Sequence, residues 1–247
     1  MPKTVLITQC LQKDFVQPVA AHDPLPNALH VGRSEAVRLM GHDPQAGPVA
    51  QVMFWARSQP ADKIEILHSR DWHDDGDSRL LEHLDMFGHH CIADSEGARL
   101  VLDLDDEVAE RANEHVVDCI ALNDFEDTDL SAHLDRIRKS SEDGKIRVGV
   151  IGVWTEAKVS FLCYDLRTRG HVEQLATCSA LTASASRAQH FNALDQLKKI
   201  LGVEVFDTIG DFADWMRPGS VAEVLSERPK GYAPEMRLTG DPVELAE

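Results

Sequence analysis

Six short runs of mostly apolar residues punctuate the chain: Lys3–Cys10, Lys63–Leu67, His115–Leu122, Arg147–Val153, Val172–Thr177 and Val203–Phe206. Where the apolar residues are nearly continuous rather than alternating, they predict strands covered on both faces. Between them lie segments of helical period. Val159, Leu162, Cys163 and Leu166 share one helical face, and so do Phe191, Leu194, Leu197 and Leu201. Gly170 and Gly202 stand where helix C-caps belong. Asp129 opens another helical stretch through Ile137. Residues 17–60 form an elaborated connection rich in Pro and His, with helices predicted over Gly32–Met40 and Pro48–Arg57. Strand–helix alternation implies an α/β fold, a three-layer sandwich around a central, mostly parallel six-stranded sheet. In such folds functional sites lie at the carboxyl ends of the strands. From Pro218 onward periodicity fades, so the expected organisation is one domain over residues 1–215 and a C-terminal arm or tail over 216–247.

Composition narrows the class. A chain of 247 residues, 43% hydrophobic and 27% charged, buries most of its apolar surface without disulfide or metal staples. Its net charge of −17 argues against nucleic acid or anionic membranes as partners, since both need a basic footprint. No apolar run approaches the roughly 18 residues of a membrane helix, and Val5–Ile7 is too short for a signal peptide. Five cysteines, an odd number with no Cys-x-x-Cys pair, fit reduced thiols and a cytoplasmic location. The acidic stretches Asp103–Glu107 and Asp124–Asp129 read as solvated faces.

The strand ends carry the candidate chemistry. The first ends in Cys10-Leu11-Gln12-Lys13-Asp14-Phe15, the second in Arg70-Asp71-Trp72-His73 and the third near Cys119. The fourth runs straight into a helix through Gly152-Val153-Trp154-Thr155-Glu156-Ala157-Lys158. Such a strand-to-helix junction commonly presents a nucleophile, because helix N–H groups can hold an oxyanion there. Together with His90-Cys91, Gly97-Ala98, Phe125, Thr128-Asp129-Leu130, Ser184, His190 and Leu194, these motifs resemble the isochorismatase-like cysteine hydrolases over roughly residues 3–212. That family includes nicotinamidases, N-carbamoyl-amino-acid amidases and isochorismatase.

The resemblance implies a triad of an aspartate ending strand one, a lysine ending strand three and a cysteine at the strand-four junction. Carried over, those positions are Cys10, Cys119 and Lys158, and none keeps the family's residue. Phe125 and Thr128 hold the register around Cys119. The standard thioester mechanism therefore does not transfer, and the leading expectation is a non-catalytic or repurposed member. One alternative is a divergent hydrolase of a small-molecule amide or related C–N bond, using a Cys10 or Cys119 thiolate whose pKa Lys158 lowers. A second is a redox-responsive dithiol protein; a lysine imine at Lys158 is a further chemistry open to such a site. The resemblance also implies a substrate pocket of Gln12, Phe15, Trp72, Trp154 and Thr155, where Trp154 either walls or fills the space. It implies a divalent metal (Zn, Fe or Mn) on Asp71, His73 and His90, with His83 and His89 as spare ligands. A small-molecule ligand is expected if the pocket is open, and a homo-oligomer is expected from the relatives' habit.

Overall fold

A computed structural model describes residues 2–102, 111–170 and 172–219. The acidic residues Asp103–Glu107 and the residues after 219, where an arm or tail is predicted, lie outside the described residues. Six parallel strands form one sheet in the order β3-β2-β1-β4-β5-β6: β1 (Lys3–Gln9), β2 (Ile64–Asp71), β3 (Glu114–Cys119), β4 (Ile146–Val153), β5 (Gln174–Ala183) and β6 (Glu204–Phe206). The α/β sandwich is as expected, and all its strand pairs are parallel. β3 stops at Cys119 rather than Leu122, and β5 continues six residues beyond the predicted Thr177. No helix among the described residues is long and apolar enough to cross a membrane.

The continuous apolar runs feed two cores, because successive strand side chains point to opposite faces. On one face Leu6, Ile64, Ile66, Ile151 and Val153 pack with α2 (Arg33–Met40), α3 (Pro48–Ser58) and α8 (Ile209–Met216). On the other, Val5, Ile7, Leu67, Val148 and Val150 pack with α5 (Leu130–Ser140), α6 (Ser160–Thr168) and α7 (Arg187–Leu201). Two short helices, α1 (Lys13–Val16) and α4 (Leu81–Phe87), lie beyond the carboxyl ends of β1 and β2. Gly202 adopts φ 61° and closes α7 as predicted, its N–H donating to the Leu197 carbonyl. Phe191 departs from its predicted face and is half exposed; His190, Ala193, Leu194 and Leu197 are the buried residues of α7.

A buried polar ladder ties β1, β2 and β3 together. Thr8 Oγ1 and His68 Nδ1 are 2.8 Å apart, His68 Nε2 lies 2.8 Å from Glu114 Oε1, and Arg57 donates to both Glu114 oxygens at 2.8 and 3.0 Å. Burial alone would raise the Glu114 pKa, but the bonds from His68 and Arg57 hold it at about 2, against an ordinary 4.5. A depressed carboxyl contributes stability fully above its unfolded pKa and loses it as pH falls towards the folded one, here between about 4.5 and 2. That range corresponds to about 3 kcal/mol. The Glu114→Gln variant is accordingly expected to unfold more easily at pH 7 and to show an acid slope flatter by that amount in urea titrations. An unchanged slope would remove Glu114 from the account.

Candidate functional site

The ends of β1 and β2 and the junction after β4 bring Cys10, Asp71 and Lys158 to a common point. At the end of β1 the chain turns sharply: Cys10 takes φ 51°, a region that non-glycine residues seldom adopt, and its N–H donates to the Ser69 carbonyl at 2.8 Å. Gln12 then clamps the end of β2. Its amide donates to the carbonyls of Asp71 (2.6 Å) and Ala98 (2.9 Å), and its oxygen accepts from Asp71 N–H at 2.8 Å. Gln12 thus aims Asp71 rather than lining a pocket. β4 needs glycine beside this junction: Gly152 has φ 118°, and a Cβ there would stand 2.1 Å from the Gln9 carbonyl oxygen. The chain enters α6 through a π-type turn, Thr155–Val159, which carries Lys158.

Lys158 is 6% exposed, and its ammonium is fully engaged. It lies 3.0 Å from Asp71 Oδ1 and 2.7 Å from Asp124 Oδ1, and it donates to the Ala121 carbonyl at 2.7 Å. Burial disfavours the charge, but Asp124 and Asp71 outweigh it and raise the Lys158 pKa. The same oxygen of Asp71 accepts from the Cys10 thiol at 3.6 Å, while Gln9 donates to Cys10 Sγ at 3.2 Å. Burial raises the Asp71 pKa less than Lys158 and His73 lower it, so this carboxyl stays well below its usual range. Asp124, read from sequence as part of a solvated face, is instead 2% exposed and pairs with the lysine.

A cavity of about 110 Å³ opens beside these groups, walled by Phe15, Leu29, Phe87, Leu122 and Trp154, with Cys10, Asp71 and Lys158 on its border. Trp154 walls the space and does not fill it. Of the other residues expected in a substrate pocket, Phe15 is present but Trp72 and Thr155 are not among the lining. Trp72 lies under the Arg70 guanidinium at 3.8 Å, and Thr155 is buried against His190 Nδ1 at 2.9 Å.

Cys119 is also not on the cavity. It packs in the second core, 3.2 Å from Ser69 Oγ, whereas Cys10 packs in the first, so the two thiols belong to opposite faces of the sheet. That placement gives a Cys10–Cys119 dithiol no support. Nor does the lysine lower either thiol's pKa below the ordinary value. Burial first, then Asp71, raises Cys10, and burial, then Asp124, raises Cys119. Burial likewise pushes Cys163 up to about 12, Cys178 to about 11, and Cys91 upward.

The histidines gather on the cavity's other side. His73, His83 and His90 form a group able to hold a metal ion, their ligand atoms all within 4.8 Å of one another. Nε2 of His73 and of His90 are 3.2 Å apart. This matches the edge of about 3.3 Å between ligands on a tetrahedral ion with metal–nitrogen bonds of about 2.0–2.1 Å. His90 Nδ1 bonds the Gly88 carbonyl at 2.7 Å, which fixes its tautomer and leaves Nε2 as a lone pair. Nδ1 of His73 and Nε2 of His83 are buried without a partner. Burial, then His73 and His90, lowers the His83 pKa to about 4, so its lone pair is free at neutral pH. The donor set therefore fits a borderline divalent ion. Asp71 Oδ2 stands 3.8 and 3.9 Å from Nε2 of His73 and His90, near enough to share such an ion. Of the spare histidines named from sequence, His83 joins the group and His89 does not.

A search of curated proteins finds no match. Among solved structures, the pyrazinamidase/nicotinamidase of Streptococcus mutans superposes with a TM-score of 0.65 at 24% identity, covering 83% of this chain and 100% of that one. The pyrazinamidase of Pyrococcus horikoshii, described in complex with zinc, gives 0.60 at 21% identity over 84% and 100%. N-carbamoylsarcosine amidase from Thermoplasma acidophilum gives 0.58 at 19% over 83% and 95%. Identities this low establish the shared fold. The family model described as the isochorismatase domain matches residues 39–209, the stretch that runs from the end of α2 through the π-type turn to the start of α8. The chain belongs to the isochorismatase domain family.

Proposed function

We propose that this chain is a hydrolase of a small-molecule amide or related C–N bond whose triad is transposed: Cys10 the nucleophile, Asp71 the base and Lys158 the cation. One observation carries the reading. Asp71 Oδ1 accepts from the Cys10 thiol and pairs with the Lys158 ammonium, at the border of an apolar cavity. The family's three functional groups are thus all present, on different positions of the chain. Relatives named as amidases supply the reaction class.

The resting nucleophile is a thiol, because burial and Asp71 raise its pKa. As Sγ attacks the carbonyl carbon, its proton passes to Asp71. Collapse breaks the C–N bond, and the leaving nitrogen takes that proton. Water then hydrolyses the thioester, releasing the acid and restoring the thiol. Lys158 holds the Asp71 carboxyl in place for both proton transfers. A divalent ion held by the histidine group would supply a Lewis acid that anchors a donor atom of the ligand. The cavity limits the ligand: at about 110 Å³ it is smaller than the apolar cavities of about 150 Å³ that take up benzene, so the enclosed part of a ligand is no larger than one small ring.

A second reading, a binding protein without turnover, is favoured by Lys158, whose three donors are already used by Asp71, Asp124 and Ala121. Ammonia release from nicotinamide, pyrazinamide and N-carbamoylsarcosine separates the two. Release that depends on Cys10 supports the transposed triad. No release from any of them, with iodoacetamide labelling Cys10 no faster than Cys163, favours the binding protein.

A further inference from the structure

Gln9 is an unfavourable residue for core packing where it stands. It ends β1 in the middle of the sheet, paired with Ser69 of β2 on one side and Gly152 of β4 on the other. It is fully buried, and its Oε1 has no hydrogen-bond partner among the described residues. A buried acceptor left unpaired loses its hydration uncompensated, so an apolar residue of the same size would suit the core better. The other end of the amide is engaged. Nε2 donates to Cys10 Sγ at 3.2 Å and to Asp124 Oδ1 at 3.4 Å. An amide nitrogen carries two hydrogens and accepts none, so the sulfur is the acceptor in the first of these bonds. Asp124 is itself anchored by Lys158 at 2.7 Å. It fixes which end of the amide faces the sulfur, because a flipped amide would set oxygen against carboxylate. Sγ thus lies between partners of opposite kind: Asp71 Oδ1 accepts its proton at 3.6 Å, and Gln9 donates to it.

We infer that Gln9 is a catalytic residue, the donor that stabilises negative charge on Cys10 Sγ while the thiol proton passes to Asp71. This rests on the transposed triad proposed above. When the S–H bond breaks, the proton goes to the Asp71 carboxylate. The electron pair stays on sulfur until it forms the bond to the carbonyl carbon. A neutral thiol is a weak acceptor, whereas hydrogen bonds to an ionised acceptor are about twice as strong, so the Gln9 bond strengthens as charge develops. An interaction stronger in the transition state than in the resting state accelerates the step. Gln9 does not line the cavity, so ligand binding does not depend on it. Asp124 acts through Gln9 and is a positioning residue.

The test compares the wild-type full chain with Gln9→Met and Gln9→Leu, which keep the bulk and remove the donor. Three quantities are measured: the iodoacetamide alkylation rate of Cys10 at one fixed pH with Cys163 as internal reference, the kinetics of ammonia release from the amides named above, and Tm. Both variants are expected to alkylate Cys10 about 10- to 100-fold more slowly, the range of a hydrogen bond to a charged group, with Cys163 unchanged. Where ammonia is released, kcat should fall by a similar factor while KM holds. Tm should not fall, because the unpaired oxygen leaves the core together with the donor. Undiminished alkylation of Cys10 in both variants overturns the inference and leaves the hydrolase reading standing. A Tm that falls with the alkylation rate in both variants overturns it too, since Gln9 would then be a packing residue. So does a wild type whose Cys10 reacts no faster than Cys163. Fast wild-type alkylation that slows in both variants, with no ammonia released by any of them, supports the role of Gln9 and removes only the hydrolase reading.

Discussion

Cys10→Ala is expected to lower kcat/KM for ammonia release by at least about 1000-fold, the scale on which removal of a nucleophile is felt. Asp71→Asn should cost about 100- to 10,000-fold, because it removes the proton acceptor and keeps the shape. Cys119→Ala should retain most activity, since that thiol sits in the opposite core against Ser69. The contrast between the two cysteines is the informative part. Both occupy strand ends, and both carry raised pKa values. Only Cys10 borders the cavity and donates to Asp71. Equal losses in both variants would point to general damage and sink the assignment. A Cys10→Ala enzyme that works as well as the wild type would do the same.

The largest stability effect is expected at Lys158. Replacing it by methionine leaves Asp71 and Asp124 facing each other with no cation, and breaking a buried pair in this way costs about 3–5 kcal/mol. For a domain of this size that is roughly a 10 °C loss in Tm. The mechanism makes a sharper demand of the double variant. Lys158→Met with Asp124→Asn removes one of the stranded charges, so it should recover much of the loss, as coupled neighbours do. A double variant as unstable as the sum of its parts would mean that the aliphatic stem of Lys158, and not its charge, holds the site together.

Much of the fold could be read from the chain because its strands are buried on both sides. The runs at β1 and β4 leave few other ways to cover their residues, and Gly202 marks the end of α7. α4 is not among the helices predicted from the sequence, although Leu80, Leu84 and Phe87 share a helical spacing within the Asp- and His-rich residues 74–90. Phe191 fitted a face by spacing, yet tertiary packing uses its neighbour His190. At the site, the positions Cys10 and Lys158 were legible from the motifs around them, but their partners were not. Asp124 sits in an acidic stretch where nothing local distinguishes the one buried carboxylate from its solvated neighbours. The motif around Asp71 points to a metal, and its reach to both the thiol and the ammonium exists only in three dimensions.

The adjacency of β1 and β4 in the middle of the sheet bears on how the molecule is made. Cys10 and Lys158 are about 150 residues apart in sequence, and strands so distant pair late and slowly. A nascent chain that has emerged through the start of α5 already contains Asp71 and Asp124 but not the lysine that neutralises them. Those two carboxylates would then repel each other at the growing sheet edge until residues 146–158 arrive. The lysine reaches both carboxylates only when β4 lies beside β1, so the charge balance of the site and the centre of the sheet are completed together.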